Sequence, residues 1–553
     1  MINRSLDRPL QLLAVVGIIL YFTVILISSY LSGPPPSNEE ADGLPTITQQ
    51  AAADTAVVFA RQHFALSDDH NTSTLYQTHS ERSGYLQKEH LFNSYTERYT
   101  QLPLDYYEVE INDLASSKTY YIDINYSNQK VLGWKTYVSP SSKADTVSAP
   151  GVDPQLLAEQ TIKEQGYSPT NFTLLDTVPD LNKKNNAATP SGRVLVYESR
   201  TDLIGQAKLQ LTLNVSKGQV VSFQPDFKIP AAFGEWKEIQ NSSASLMTNI
   251  SMGVSLIMAA AALFIIIRYR RQITFRRGLW LTLIFLIIYI GNNFNMLPAF
   301  RTSHTAGPSQ FEALFYLWFL NIIIAMMAVS VYLSVLAGRQ MWSRYSWNPL
   351  PEWQDPAFGS QVWVAMTRGY LLCFFILGVQ QVLFFIAEHA FDVWSVNDAA
   401  DSVLNMTFPA LFPLMAWAAA ISEETVYRLF GIAFFLKIVR IRFLAVLLPS
   451  IIWAMSHTQY PIYPVYTRLV EVTIIGVIFG YAFLKYGFMT VLFAHASMDS
   501  ILMGLSLYGL GDWMHIVVGS FYLIFPGLVG WVLYRLHGNK KRRALSMPRL
   551  DPD

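Results

Sequence analysis

Residues 410–436 read ALFPLMAWAAAISEETVYRLFGIAFFL. The stretch is long and apolar enough to cross a bilayer, which takes about 20 residues of helix. Yet Glu423, Glu424 and Arg428 stand in its middle. A charge at the bilayer centre costs at least ~2.5 kcal/mol on insertion scales, so each one needs a reason. Glu424 and Arg428 are four apart and can pair on one helix face. Glu423 points about 100° away and is left free of that pair. The functional reading is a general base beside a structural ion pair. The competing reading is a re-entrant or interfacial helix whose charges are wet.

Further apolar runs flank this one, near residues 246–267, 279–298, 311–337, 369–388, 443–460, 468–485, 488–508 and 514–535. The N-terminal run LQLLAVVGIILYFTVILISSYL (10–31) adds another. It exceeds the apolar core of a secretory signal, about 7–15 residues, so a retained anchor is expected. The count is about ten spans. Composition agrees: 52% of the 553 residues are hydrophobic and 14% are charged, against about 25% charged in an ordinary globular chain. The formal net charge is zero, which gives no global attraction to nucleic acid. Cys373 is the single cysteine, so intramolecular disulfides and Cys-based zinc sites are excluded.

Basic residues flank cytoplasmic span ends. Arg268, Arg270, Arg271, Arg276 and Arg277 fill one short loop, Lys437, Arg440 and Arg442 another, and Lys540, Lys541, Arg542 and Arg543 follow the last run. An even number of spans places all three on one side with Arg4 and Arg8. The acidic loop 388–401 (Glu388, Asp392, Asp398, Asp401) falls opposite. Both termini are therefore expected in the cytoplasm, and residues 33–245 outside it, as in an integral protein of a bacterial cell membrane.

Residues 33–245 form the polar block. Pro34, Pro35 and Pro36 open it. Helices are expected near 50–64 and 154–165. Strands are expected where Tyr106, Glu108 and Glu110 alternate with Tyr107, Val109 and Ile111, at 120–126, near 193–198 and over 207–223. INYSNQKVLGW (124–134) aligns without gaps on LNVSKGQVVSF (213–223), each strand, polar turn, strand. Two helix-plus-sheet modules follow, resembling PepSY-type modules in element order. His63, His70, His79 and His90 are scattered in polar sequence and are expected to be solvated.

Two more clusters interrupt the apolar runs. Trp453-Ala-Met-Ser-His457 lies late in one run; a lone intramembrane histidine is often a satisfied interhelical hydrogen-bonding group. His495-Ala-Ser-Met-Asp499 puts imidazole and carboxylate on one helix face, as an oriented histidine or as a local pair that stabilises packing. Counted from the cytoplasmic ends at about 1.5 Å per residue, Glu423, His457, His495 and Asp499 reach a similar depth. Three unrelated packing roles would not predict that.

The constellation Glu423-Glu424-x-x-x-Arg428, Trp453-x-x-x-His457, His495-x-x-x-Asp499 resembles the CPBP family of CAAX prenyl endopeptidases and bacteriocin-processing membrane proteins. Its pattern is E-E-x-x-x-R, F-x-x-x-H and H-x-x-x-N or H-x-x-x-D. Trp453 departs from the usual Phe, and Asp499 stands where the eukaryotic enzymes carry Asn. The resemblance covers roughly residues 370–510. It implies amide hydrolysis without a covalent intermediate: Glu423 and His457 activate a water, His495 with Asp499 stabilises the oxyanion, and Glu424 with Arg428 fixes the helix. Asp499 can donate to an oxyanion only when protonated; otherwise it orients His495 or a metal. Glu423, His457, His495 and Asp499 could ligate zinc and equally suit a metal-free, glutamate-activated water; the metal-free form is preferred.

Other proteolytic signals are missing. No H-E-x-x-H occurs, and Gly509-Leu510-Gly511-Asp512 lies between two runs with no Tyr-Asp pair on a neighbouring span. The expected whole is a mainly α polytopic bundle carrying an extracytoplasmic α+β domain. It divides into an anchor (1–32), the outer domain (33–245), accessory helices (246–368), a protease core (369–537) and a basic tail (538–553). Its partners are the lipid bilayer and a membrane-associated peptide or protein substrate, with no nucleic acid. A non-catalytic membrane sensor or peptide-binding immunity protein on a protease-like core is the alternative.

Overall fold

The computed structural model describes residues 7–31, 47–138, 153–179, 192–301 and 310–546. Arg4, the prolines at 34–36 and residues 547–553 lie outside these, as do the side chains of the basic tail.

The polar block builds one eight-stranded antiparallel sheet. Its strands are β1 (His70–Thr78), β2 (Asp105–Asp113), β3 (Lys118–Asn125), β4 (Val131–Val138), β5 (Phe172–Pro179), β6 (Arg193–Ile204), β7 (Ala207–Ser216) and β8 (Gln219–Lys228). Their spatial order is β1-β2-β3-β4-β8-β7-β6-β5. The two rounds thus share a sheet, joined where β4 meets β8. Trp134 pairs there with Phe223, their rings 5.2 Å apart, and these two residues end the aligned segments. Each segment turns at a matching left-handed residue, Gln129 (φ 61°) and Gly218 (φ 76°).

Helices α2 (Gln49–Phe64) and α5 (Pro154–Glu164) lie on the apolar face of the sheet. Thr48 and Asp153 cap them by accepting backbone N–H bonds. Ala52, Ala56 and Ala60 on α2, with Ala158 and Ile162 on α5, let them sit close over Val109, Ile122, Leu211 and Phe223. Short helices α3 (Ser80–Lys88) and α4 (Phe92–Arg98) complete this domain. His79 departs from the solvated expectation. It is half-buried and stacks on Tyr106 at 4.9 Å, and burial holds its imidazole well below the ordinary pKa. His70 is also half-buried, its Nδ1 2.8 Å from the Ser67 carbonyl, whereas His63 and His90 are exposed.

Among the described residues, seven helices are long and apolar enough to cross a membrane. They are α1 (Arg8–Leu31), α6 (Ala231–Tyr269), α8 (Gln310–Ser343), α9 (Phe358–Phe391), α13 (Val465–Tyr486), α14 (Phe488–Ser506) and α15 (Trp513–Ser546). The chain is an integral membrane protein by this measure. The shorter apolar helices α7 (Leu279–Asn295) and α12 (Arg442–Met455) occupy two of the other expected runs. The run at 410–436 is one irregular helix: a 3-10 start at Pro409–Leu414, then α10 (Met415–Glu423), a π segment Glu424–Gly431, and α11 (Ile432–Val439). Pro413 stands inside the tight first turn, and π segments recur at functional positions. The expected domain border at residue 245 falls inside α6, whose 39 residues run unbroken from the sheet into the bundle.

The sheet domain is docked on one end of the bundle. Arg301 binds Glu110 at 2.7 Å and Ser73 at 3.2 Å. Asn405 donates to the Tyr76 carbonyl at 2.8 Å and accepts from the Tyr76 N–H at 2.7 Å. A two-residue strand β9 (Trp394–Ser395) pairs with β10 (Ile462–Tyr463), and Trp394 stacks between Phe233 and Tyr463. The loops around residues 272–277 and 344–357 are tied together at the other end, where Arg277 and Arg339 share Glu352 at 2.9 and 2.5 Å.

Candidate active site

Three segments bring their polar groups to one place. Glu423 is the last residue of α10. His457 lies just beyond α12, which ends at Met455, so it sits in a turn and not inside the helix as the apolar run suggested. His495 and Asp499 are one turn apart on α14.

Glu423 is held by Trp453, whose indole N–H donates to Oε2 at 2.5 Å. Its Oε1 lies 3.9 Å from His457 Nε2, and its Oε2 lies 3.8 Å from His495 Nε2. The Nδ1 of His457 is 2.9 Å from the Trp453 carbonyl. A carbonyl only accepts, so Nδ1 carries a proton, and Nε2 is the ring nitrogen that faces Glu423. Tyr460 stacks on the His457 ring at 5.9 Å.

Beneath this layer lies a buried one. Arg428 pairs with Glu424 at 3.0 Å, one helical turn apart as the spacing required. The guanidinium stands 4.1 Å over the Trp453 ring and 5.2 Å over Phe479, a cation–π sandwich in a dry site. Glu424 also accepts from His495 Nδ1 at 2.8 Å. Helical spacing does not predict that bond. Asp499 Oδ2 lies 3.3 Å from His495 Nε2, one turn away as the spacing of four allows. Glu424, Arg428 and His495 side chains are at most 3% exposed, whereas Glu423 is 23% and His457 and Asp499 are 17% exposed. Glu423, His457 and Asp499 are thus the more open members of the cluster.

Glu423, His457, His495 and Asp499 have donor types that zinc accepts. Among the described residues, however, no three His, Cys, Asp or Glu side chains are grouped to hold a metal ion. The separations around Glu423 suit bridging hydrogen bonds better than shared ligation.

A second polar group escaped the sequence reading. Glu471 on α13 is 6% exposed, accepts from Gln380 on α9 at 3.1 Å and binds Arg468 at 2.6 Å. Arg468 lies 5.3 Å over the Tyr460 ring, which covers His457. The signal was present: two ionisable residues three apart at the start of an apolar run share a helix face.

Residues 405–501 match the model of the type II CAAX prenyl endopeptidase Rce1-like family. The matched segment contains every residue of the cluster. Comparisons with curated proteins and with solved structures find no match. The chain is therefore similar to this family over residues 405–501, within a larger architecture.

Proposed function

We propose that the chain is an intramembrane endopeptidase that cleaves membrane-associated peptides or proteins with a water activated by Glu423 and His457. The observation that carries this is the 3.9 Å separation of Glu423 Oε1 and His457 Nε2. It is too long for a direct hydrogen bond and short enough for one water to contact both. Glu423 takes the proton as general base while His457 Nε2 accepts the second hydrogen, so a lone pair is aimed at the scissile carbonyl. His495 donates to Glu424 through Nδ1; its Nε2–H, present in the imidazolium, is shared between Asp499 at 3.3 Å and the developing oxyanion. Asp499 holds that N–H in line. Glu424 and Arg428 keep the π segment and α14 in register and touch no substrate. No step in this scheme needs a metal.

The basic loops and the sheet domain lie at opposite ends of the bundle, which supports cytoplasmic termini and an extracytoplasmic sheet domain. Cleavage then occurs on the outer-domain side of the membrane, beside the turn that carries His457. The test is proteolysis of a membrane-peptide panel in reconstituted vesicles with hydroxylamine present and, separately, with a zinc chelator. Direct water attack yields only free carboxyl products and continues in chelator. Hydroxamate products would instead demand an acyl-enzyme, and loss of activity in chelator would demand a metal.

A further inference from the structure

We propose that a cavity at the end of the bundle opposite the sheet domain is a binding site for the phosphate headgroup of an anionic phospholipid. The cavity, about 430 Å³, lies between the 347–351 loop, the first third of α9 and the turn joining α13 to α14. Arg368 and Lys485 both line it. Both cations lean on one ring: the Arg368 guanidinium is 5.2 Å from the Tyr486 centroid and the Lys485 ammonium 4.9 Å. Arg368 is partly neutralised by Asp7 at 2.9 Å. No carboxylate lines the cavity among the described residues, so it keeps an excess of positive charge.

The remaining walls say what kind of anion fits. Val364, Ala365 and Met489 make an apolar flank. Phosphate oxygens suit the two cations, and glyceryl and acyl carbons suit the flank. The level in the bilayer agrees. The C-terminus of α13 and the N-terminus of α14 meet there at Gly487, so the cavity sits where apolar helices end and headgroups begin. Basic pockets between spans at this level recruit anionic headgroups. A soluble phosphate would use the same cations but leave the apolar flank bare, so a lipid is the occupant argued here. The site is remote from Glu423 and does not depend on the proposed proteolysis.

The probe is native mass spectrometry of the full chain from nanodiscs of equal phosphatidylglycerol and phosphatidylcholine. Wild-type protein is expected to retain phosphatidylglycerol preferentially, and each of Arg368→Gln and Lys485→Gln to lower that preference about fivefold. The control Lys437→Gln with Arg442→Gln removes exposed charge from another loop and should leave the preference intact. Lys485 is exposed, so its variant carries the test should Arg368→Gln misfold. Equal retention of the two lipids, or an unchanged preference in Lys485→Gln, overturns the site. Inorganic phosphate added to delipidated protein separates the sources. If it raises the thermal midpoint as much as phosphatidylglycerol does, and Lys485→Gln removes that rise, the occupant is a soluble phosphate and the lipid assignment fails.

Discussion

Trp453 does two jobs that a phenylalanine would divide. Its N–H fixes one oxygen of Glu423, and its ring supports Arg428 from below. Trp453→Phe keeps the ring and deletes the donor. A hydrogen bond to a charged group contributes about 1.5–3 kcal/mol, so the thermal midpoint is expected to fall modestly, and kcat/KM at least about tenfold because the Glu423 carboxylate is no longer held in place. An unchanged kcat/KM would mean that the indole bond is incidental. Glu424 behaves in the opposite way. Removing one partner of a buried ion pair costs about 3–5 kcal/mol, so Glu424→Ala should lower stability sharply, while Glu423→Gln, at a partly exposed position, should not. Calorimetry on both variants checks the contrast. The sequence showed Glu423, Glu424, Arg428, His457, His495 and Asp499 through cost and spacing alone. It did not show that Glu424 would hold His495, because that bond joins the π segment to α14, and no spacing rule reaches across helices.

The helices were legible as apolar runs, but their ends were not. α6 begins at Ala231, well before its apolar run, because Phe233 and Trp236 pack against the sheet domain and Trp394. α12 stops at Met455, which frees His457 to sit in a turn beside Tyr460. The run 410–436 looked like one helix and is a 3-10, α and π succession whose windings periodicity does not resolve. α1 is held to α9 by close backbone approach rather than by large side chains. A Cβ on Gly378 would lie 2.1 Å from the Gly17 carbonyl oxygen, and one on Gly17 2.3 Å from that of Phe374. Small residues let membrane helices pack this closely. Gly378→Leu should therefore separate α1 from α9 and abolish a cysteine cross-link engineered between these helices, with the wild-type background cross-linking fully. Survival of the cross-link would contradict this packing.

For the molecule as a whole, the alternation of the strands and the two aligned segments announced the sheet domain. Its docking on the bundle was invisible, since Arg301, Asn405 and Trp394 look like ordinary loop residues until their partners are known. Glu110 shows the consequence: it belongs to the polar face of β2 yet is 4% exposed, because Arg301 covers it. On the same face, burial and the neighbouring Glu108 raise the Asp123 carboxyl to about 7, against the opposing pull of Lys135. A carboxyl whose folded pKa is raised binds its proton more tightly when folded. Its contribution therefore falls as pH rises from the unfolded value, about 4, to about 7, and is flat above that. Asp123→Asn should raise the thermal midpoint above pH 7 and leave it unchanged near pH 4; an equal shift at both would assign the effect to something other than ionisation.

The central claim is that Glu423 activates water for peptide hydrolysis, and the most direct measurement is kcat/KM of Glu423→Gln against the intact chain in vesicles. The substrate is a membrane peptide that the intact chain cleaves, with the thermal stabilities of the two proteins matched. The account predicts that cleavage disappears while the fold survives. Equal cleavage by the variant would contradict it.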